Sequence, residues 1–313
     1  MKIGYDVILY VGFVIFITGI IGNILNILIL SQKHLRSNTC VIVFLTSSVT
    51  GTITLVFGLG PRILAHWNLD IRERNRPICK LNNFFLFQFR LVTFWLFMLA
   101  TIDRWLLSSH NVRIRRLNSI KNTIRSILCL LIFSMTIHIQ IIFCYDANLP
   151  KTPIPCFNKN NQCRLANDFI FAIVTTLTPL IVIFILGWIT IVNIRSSQYR
   201  IRSNEPQQQQ RIDRRDRSLL KMLLIQVILF GFLTLPFVVC RFYTTLTMNH
   251  SKSFYRNEVD KFIFEVLLLL TFIPSGMQFY VNTLSGGHIF RKASSDKTYK
   301  LTSFFCSSVQ TRG

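Results

Sequence analysis

The chain has 313 residues, of which 51% are apolar, only 15% are charged and 28 are phenylalanine. Soluble proteins carry about a quarter charged residues, so this composition excludes a pair of soluble globular domains and indicates a membrane-embedded protein. The net charge of +22 would suit nucleic acid, but the basic residues gather in short segments between apolar runs, as juxtamembrane charges do. We therefore expect membrane lipid, and no nucleic acid, as a partner.

Seven segments are apolar over the roughly 20 residues that a helix needs to cross the hydrocarbon core of a bilayer. In chain order they are Val7–Leu30, Cys40–Leu64, Leu81–Leu107, Ile124–Tyr145, Phe169–Ile194, Leu219–Phe242 and Phe262–Leu284. The first is too long for the apolar region of a signal peptide and lacks a clear small-residue cleavage site, so we expect it to be a span. The sequence predicts an all-α membrane protein, a seven-transmembrane helix bundle over residues 1–292 with a cytoplasmic tail over 293–313.

Lysine and arginine set the predicted orientation. The turns after spans one, three and five, together with the tail, hold more of them than the turns on the opposite side. Such turns face the cytoplasm, so the N-terminus is expected outside a plasma-membrane protein. The low-complexity stretch "SNEPQQQQRIDRRDR" falls between spans five and six and is typical of a flexible cytoplasmic loop.

Charged residues inside apolar segments usually mark function. Asp103 and Arg104 stand side by side in "FMLATIDRWLLSS", at the inner end of the third segment. A transporter or channel, the alternative function, should show more acids along its spans and paired broken helices. No HExxH, GxSxG or intramembrane carboxylate pair is present, so the sequence predicts no enzyme, and neither cofactor nor metal is expected.

Seven spans, an outside N-terminus and "DRW" at the inner end of span three resemble a divergent rhodopsin-like (class A) G-protein-coupled receptor. Cys79 and Asp103 lie 24 residues apart, as the cysteine and acid of span three do in that family. Further matches are the Gly22-Asn23 pair in span one, the mid-span prolines of spans five and six, and the phenylalanine that opens the family's F-x-x-C-W-x-P motif. They fall at Gly22, Asn23, Pro179, Pro236 and Phe230. A buried Asn23 needs a hydrogen-bond partner on a neighbouring helix, whereas prolines can kink the spans of any helical membrane protein.

The sequence also departs from the family pattern. Gly51 stands where span two usually has an aspartate, and "QFYVN", residues 278–282, stands where N-P-x-x-Y is expected. Thr234 replaces the tryptophan two residues before the span-six proline, and Gly187 replaces the tyrosine of span five. In the family the missing aspartate and asparagine meet around a sodium ion, so the resemblance predicts weak sodium regulation here.

The resemblance implies that a ligand outside the cell activates a heterotrimeric G protein inside it. In the resting state Arg104 would be restrained by Asp103 and by Asp216, which lies 20 residues before Pro236 at the base of span six. On activation the arginine would face the G protein. The alternative is that Arg104 only extends toward the inner headgroups, as arginines near the ends of spans do.

Further expectations concern the outer face. Cys79 should pair with a cysteine of the loop between spans four and five, either Cys156 or, less favourably, Cys163, since the sequence alone cannot fix the connectivity. Cys144 stands near the start of the same loop. Asn249 begins a glycosylation sequon, "NHS".

Three charged residues lie deeper than membrane anchoring requires, namely Arg90, Arg241 and Glu265. In the family the two arginine positions border the ligand cavity. Either one arginine forms a structural ion pair with Glu265, or the arginines bind a ligand through a carboxylate or other acidic group. Few residues precede span one, so we expect this ligand to be a small peptide or a small molecule.

Two expectations concern the segment after span seven. "GGHIFRKASSDKTYK" is amphipathic and resembles the family's short helix on the inner leaflet. Cys306, in "SFFCSS", is a candidate palmitoylation site.

Overall fold

The computed structural model describes residues 2–32, 36, 38–67, 69–70, 72, 75–109, 111–147, 156–201, 207–247 and 253–285, and of residues 2, 3, 5, 194–201, 207–223 and 285 it describes only the backbone. Six helices are long and apolar enough to cross a membrane, and a bent helix pair makes a seventh. The predicted all-α bundle of seven spans is therefore confirmed. The amphipathic segment after span seven, Asn249 and Cys306 lie outside the described residues.

The spans differ from the predicted segments mainly in extending further at their ends. They are span one, Lys2–Leu30; span two, Thr39–Gly58 and Gly60–His66; span three, Arg76–Ser108; span four, Ile120–His138 and Gln140–Cys144; span five, Asn161–Phe169, a π-helix over Ile170–Leu177, and Thr178–Ile201; span six, Gln207–Leu246; and span seven, Phe254–Leu270, Ile273–Gly276 and Gln278–Ser285. The short helix Val112–Arg115 follows span three, and the antiparallel strands β1 (Tyr145–Ala147) and β2 (Cys156–Asn158) form a hairpin between spans four and five.

Polar caps fix where several spans begin. The side chains of Asn38, Asn75, Ser119 and Ser253 each accept a hydrogen bond from a backbone N–H in the first turn of spans two, three, four and seven. The first N–H groups of a helix have no partner within the helix, and such caps satisfy one of them. The apolar pattern alone missed these turns because they are polar and lie before the hydrophobic run.

Span three is the central helix of the bundle and packs against spans two, four, five and six. Its Leu91, Phe94 and Leu96 are fully buried, and the Phe94 ring contacts the ring of Phe230 on span six, with centroids 4.0 Å apart. Lipid is as apolar as these side chains, so close packing rather than water exclusion holds the helices together. Phe230, predicted from the family motif, thus joins spans three and six.

The prolines inside spans five, six and seven differ in their effect on the helix. A proline has no N–H to donate, and its ring clashes with the carbonyl four residues earlier. Span five widens into its π-helix just before Pro179, where the Thr178 hydroxyl donates to the Ile173 carbonyl at 2.8 Å. Span six keeps Pro236 inside a continuous helix. Span seven breaks near Pro274 and bends by 56° between Phe254–Gly276 and Gln278–Leu284.

The bent part of span seven is held closely against span one. A Cβ on Gly276 would lie 2.6 Å from the Cα of Gly19, and a Cβ on Gly22 would lie 3.1 Å from the Gly276 carbonyl oxygen. Beside this contact, the Asn23 Nδ2 donates to the Ser275 carbonyl at 3.0 Å. The Gly22-Asn23 pair therefore combines a close backbone approach with a hydrogen bond to the bend. The Asn23 Nδ2 has the interhelical partner that the sequence predicts, whereas its Oδ1 has none among the described residues.

We expect Gly276→Ala to destabilise the bundle by about 1–3 kcal/mol, because the added Cβ would overlap backbone that cannot move aside alone. The melting temperature of the purified protein in detergent should fall by several degrees. Gly60→Ala is the matched control, since a Cβ at Gly60 would meet nothing within 4 Å. Equal melting temperatures for the two variants would contradict the proposed close contact.

Candidate functional site

At one end of span three, Asp103 and Arg104 form a buried ion pair. The Arg104 Nη2 and Nε donate to the Asp103 Oδ2 at 2.6 and 3.1 Å, and only 2% and 6% of the arginine and aspartate side chains are exposed. An arginine that merely extends toward headgroups would expose its guanidinium. The geometry therefore fits restraint of Arg104 by Asp103 better than simple membrane anchoring.

Two asparagines that the sequence analysis did not single out complete this cluster. The Asn38 Oδ1 accepts a hydrogen bond from Arg104 Nη2 at 3.0 Å, and the Asn118 Nδ2 donates to Asp103 Oδ1 at 2.5 Å. Asn38 precedes span two and Asn118 lies in the turn after span three, so residues on both sides hold the pair. Asparagines in turns usually cap helices, and Asn38 does so here. Because capping explains such residues, nothing in the sequence indicated that these two also bind the ion pair.

Asp216, the predicted second restraint, lies in the helix Gln207–Leu246, but its side chain falls outside the description. Its contact with Arg104 stays a prediction. Removing one member of a buried ion pair typically costs about 3–5 kcal/mol, because the other charge is left uncompensated. The burial of Asp103 and Arg104 thus makes loss of either partner costly, whereas loss of an exposed pair costs about 0–1 kcal/mol.

Toward the middle of the bundle, uncharged side chains occupy the region where the family has its sodium site. A Cβ on Gly51 would already lie 2.6 Å from the Ser275 carbonyl oxygen, so this backbone arrangement has no room for an aspartate. Four spans are instead joined by amides and a hydroxyl, in the order Gln226 to Asn282 (2.9 Å), Asn282 to Asn26 (3.2 Å), Asn26 to Ser48 (2.6 Å) and Ser48 to Gln278 (2.9 Å).

Two of these residues, Gln278 and Asn282, belong to the "QFYVN" segment, so both polar ends of the altered motif have partners in the network. Nearby, Thr234 is fully buried, and its hydroxyl has no hydrogen-bond partner among the described residues. At Gly187 a Cβ would lie 3.3 Å from the Leu224 side chain, so spans five and six approach each other where the family has a tyrosine.

At the opposite end of span three, disulfides fix the β-hairpin. Cys79 is joined to Cys156 on β2, and Cys144 at the end of span four is joined to Cys163 at the start of span five. The alternative pair of Cys79 with Cys163 is not formed, because Cys163 lies within the first turns of span five and faces Cys144. The second disulfide was not predicted. Together the two bonds attach the hairpin to spans three, four and five.

A cavity of about 100 Å³ lies beneath this hairpin. Its lining comes from spans two, three, five, six and seven and from the hairpin, and includes Arg62, Arg72, Arg90, Arg164, Arg241, Asp168, Phe87, Phe237, Phe264 and Tyr145. Burial raises the pKa of the Tyr145 phenol above its ordinary value, although the nearby Arg241 opposes the shift. The phenol is therefore a neutral group of the cavity wall at physiological pH.

Three of the lining arginines have carboxylate partners. Glu265 pairs with Arg62 at 2.5 Å, Asp70 pairs with Arg72 at 2.5 Å, and Asp168 pairs with Arg241. The ion pair left open by the sequence, between Glu265 and either Arg90 or Arg241, is therefore not the one that forms. The sequence could not predict which acid pairs with which arginine, because the pairing depends on which helices face one another.

Arg90 differs from these arginines. It is 2% exposed, it donates to the Thr271 hydroxyl, and its guanidinium carbon lies 4.6 Å from the Phe272 ring centroid and 5.5 Å from that of Phe171. Its Nε has no hydrogen-bond partner, and no ion pair with Arg90 occurs within the described ranges. Buried charges are normally paired, so the cavity contains a cation able to accept an anionic partner.

One comparison with known proteins bears on this architecture. The family model described as 7 transmembrane receptor (rhodopsin family) matches residues 22–278. The match begins at Gly22 of the span-one pair and ends at Gln278, the first residue of the altered span-seven motif. No curated protein matches the chain at a significant level.

We expect sodium to have no specific effect on stability. Sodium needs several oxygen ligands and a charge to offset its dehydration, and Gly51 and the neutral network supply no carboxylate. The melting temperature of the purified protein should be the same in sodium, potassium and choline chloride at one ionic strength. A rise of several degrees that occurs with sodium alone would contradict this expectation.

Proposed function

The chain belongs to the rhodopsin family of seven-transmembrane receptors, and on that premise we propose that it binds an extracellular ligand and activates a heterotrimeric G protein. The observation that carries this proposal is the arrangement of span three. One continuous helix places Arg90 in the cavity and Arg104 in the buried ion pair. The two arginines are 14 residues apart, or about 21 Å along the helix axis. A shift of span three would therefore act at both ends.

We propose that the ligand carries a carboxylate or another acidic group that binds Arg90. A guanidinium donates two parallel hydrogen bonds to a planar carboxylate, and the Arg90 Nε has no partner among the described residues. The aromatic rings around Arg90 suit an apolar body attached to the acid. A cavity of about 100 Å³ admits a small molecule or the end of a small peptide.

At the other end of span three, release of Arg104 from Asp103 would expose its guanidinium to the G protein. A ligand shifts such an equilibrium only as far as it binds one state better than the other. The hydrogen bonds from Asn38 and Asn118 favour the restrained state, and Asp216 would add to it if its side chain reaches Arg104. Activation in this scheme is the loss of a buried ion pair.

The disulfides support a plasma-membrane orientation with the N-terminus and the cavity outside. Both bonds lie at the cavity end of the bundle, and disulfides persist on the oxidising side of a membrane. The Arg104 end then faces the cytoplasm, in agreement with the basic turns on that side. The chain belongs to a receptor family, and no observation specifically favours the alternative that it is a transporter or channel.

We expect Asp103→Asn to raise basal nucleotide exchange severalfold, because it removes the carboxylate that restrains Arg104. Asp216→Asn should act in the same direction. The double variant Asp103→Asn/Arg104→Ala should return to the background level, since the freed arginine makes the contact with the G protein. The measurement is guanine-nucleotide exchange on each class of Gα subunit, in membranes with matched amounts of receptor.

Asp146→Asn in the outer hairpin is the control, because it makes the same chemical change at the opposite end of the bundle. A double variant that exchanges nucleotide as fast as Asp103→Asn alone would rule out a role for Arg104. If only Asp216→Asn has no effect, Asp103 restrains the arginine without it.

We expect benzoate, used as a small aromatic carboxylate, to raise the melting temperature of the receptor in lipid nanodiscs, and neutral benzamide to have no such effect. Arg90→Gln should abolish the shift with benzoate because it removes the unpaired guanidinium. Arg256→Gln is the matched control, since Arg256 is exposed at the outer end of span seven. An Arg90→Gln variant that benzoate stabilises as well as the wild type would contradict the assignment of Arg90.

A further inference from the structure

Spans five and six are joined at the cavity by a buried ion pair. Asp168, near the start of span five, pairs with Arg241, which lies five residues after Pro236 on span six. The aspartate side chain is 2% exposed and the arginine side chain is 11% exposed. Both residues line the cavity, so a ligand that enters it meets this pair.

Asp168 has a second partner on span six. The Thr245 hydroxyl donates to the Asp168 Oδ2, and the Arg164 Nε donates to the same Thr245 hydroxyl at 3.1 Å. Asp168 therefore has a hydroxyl donor, with a further arginine beside it, in addition to Arg241. If Arg241 turned away, the aspartate would still have a hydrogen bond and a neighbouring positive charge, which lowers the cost of breaking the ion pair.

Arg241 lies close to the unpaired Arg90. The guanidinium carbons of Arg241 and Arg90 lie 5.1 and 5.5 Å from the centroid of one ring, that of Phe171. Arg241 also lies 5.8 Å from the Phe87 ring centroid. Both guanidiniums thus lie beside the same ring and line the same cavity, and Asp168 compensates only one of them. An acidic group that enters the cavity therefore meets two guanidiniums in its wall.

We infer that Asp168 is a resident carboxylate that the acidic group of the ligand replaces on Arg241. The inference rests on the proposed function, because it takes the acidic ligand at Arg90 as given. Replacement keeps Arg241 paired with a carboxylate and gives Arg90 the anionic partner that it lacks. Asp168 keeps the Thr245 hydroxyl and remains near Arg164.

The exchange would also loosen the junction between spans five and six. In the ligand-free receptor, Arg241 connects the outer part of span six to span five through Asp168. After replacement, Arg241 is connected to the ligand and thereby to Arg90 on span three. Pro236 lies between Arg241 and the inner half of span six, at a point where the helix lacks one hydrogen bond and bends more easily. Occupation of the cavity is in this way linked to the position of span six.

The test compares Asp168→Asn with the wild type in lipid nanodiscs, with benzoate as the probe and benzamide as the neutral control. Without the resident carboxylate, Asp168→Asn should bind benzoate about fivefold or more tightly than the wild type does, at the low end of typical coupling between sites. Its basal nucleotide exchange should also rise. Asp146→Asn is the matched control, because Asp146 pairs with Arg76 and Lys159, which lie outside the cavity lining, and it should leave both measurements unchanged.

Thr245→Val provides a second variant that keeps every charge, should Asp168→Asn fold poorly. It removes the hydroxyl that Asp168 would keep after replacement, so displacing Asp168 from Arg241 should cost more and benzoate should bind more weakly than to the wild type. Benzoate binding that is equal or weaker in Asp168→Asn, or equal or tighter in Thr245→Val, than in the wild type would overturn the role of Asp168 while the acidic-ligand site at Arg90 stands. If benzoate binds none of the proteins, the acidic-ligand site and this inference both fail, and G-protein activation is judged separately by the Asp103 and Arg104 variants.

Discussion

The cost of placing a charged side chain inside a low-dielectric helix bundle governs both ends of this receptor. An arginine away from water needs a carboxylate or several hydrogen-bond acceptors, and four buried or half-buried arginines meet that need through Asp103, Asp168, Glu265 and Asp70. The pairs of Asp168 and of Glu265 also each join two different spans. Among the described residues Arg90 contacts only a hydroxyl and two aromatic rings in place of a carboxylate, which is why we propose that the cavity binds an anion.

Between the two charged ends, the core of the bundle is neutral. Gly51 permits the Ser275 carbonyl to approach span two, and the amides of Asn26, Gln226, Gln278 and Asn282 connect four spans. The attraction between neutral hydrogen-bonding groups decreases over a shorter distance than that between ions. Breaking such a bond also costs less free energy than breaking a buried ion pair. The two departures from the family pattern, in spans two and seven, therefore belong to one arrangement, because a glycine and a set of amides replace an acid and its partner together.

The sequence predicted the parts of this structure that depend on local patterns. Hydrophobic length gave the seven spans, and the positions of Asn23, Phe230 and Cys79 gave contacts that the folded chain makes. The sequence could not predict which acid pairs with which arginine. Glu265 contacts Arg62 rather than Arg90, because spans two and seven face each other there. Asn38 and Asn118 also escaped notice, because asparagine in a turn has an ordinary explanation as a cap. The bend near Pro274 was not predicted either, because the apolar run continues through it.

The two disulfides have a consequence for biosynthesis. Their connectivity is interleaved along the chain, because Cys144 lies inside the loop closed by Cys79 and Cys156, whereas its partner Cys163 lies beyond it. A nascent chain that has exported only the first three of these cysteines offers Cys79 and Cys156 a competitor in Cys144. The correct pairing becomes fully available only after the start of span five has reached the oxidising compartment. A premature bond from Cys144 to Cys79 or Cys156 would therefore have to be exchanged before the receptor matures.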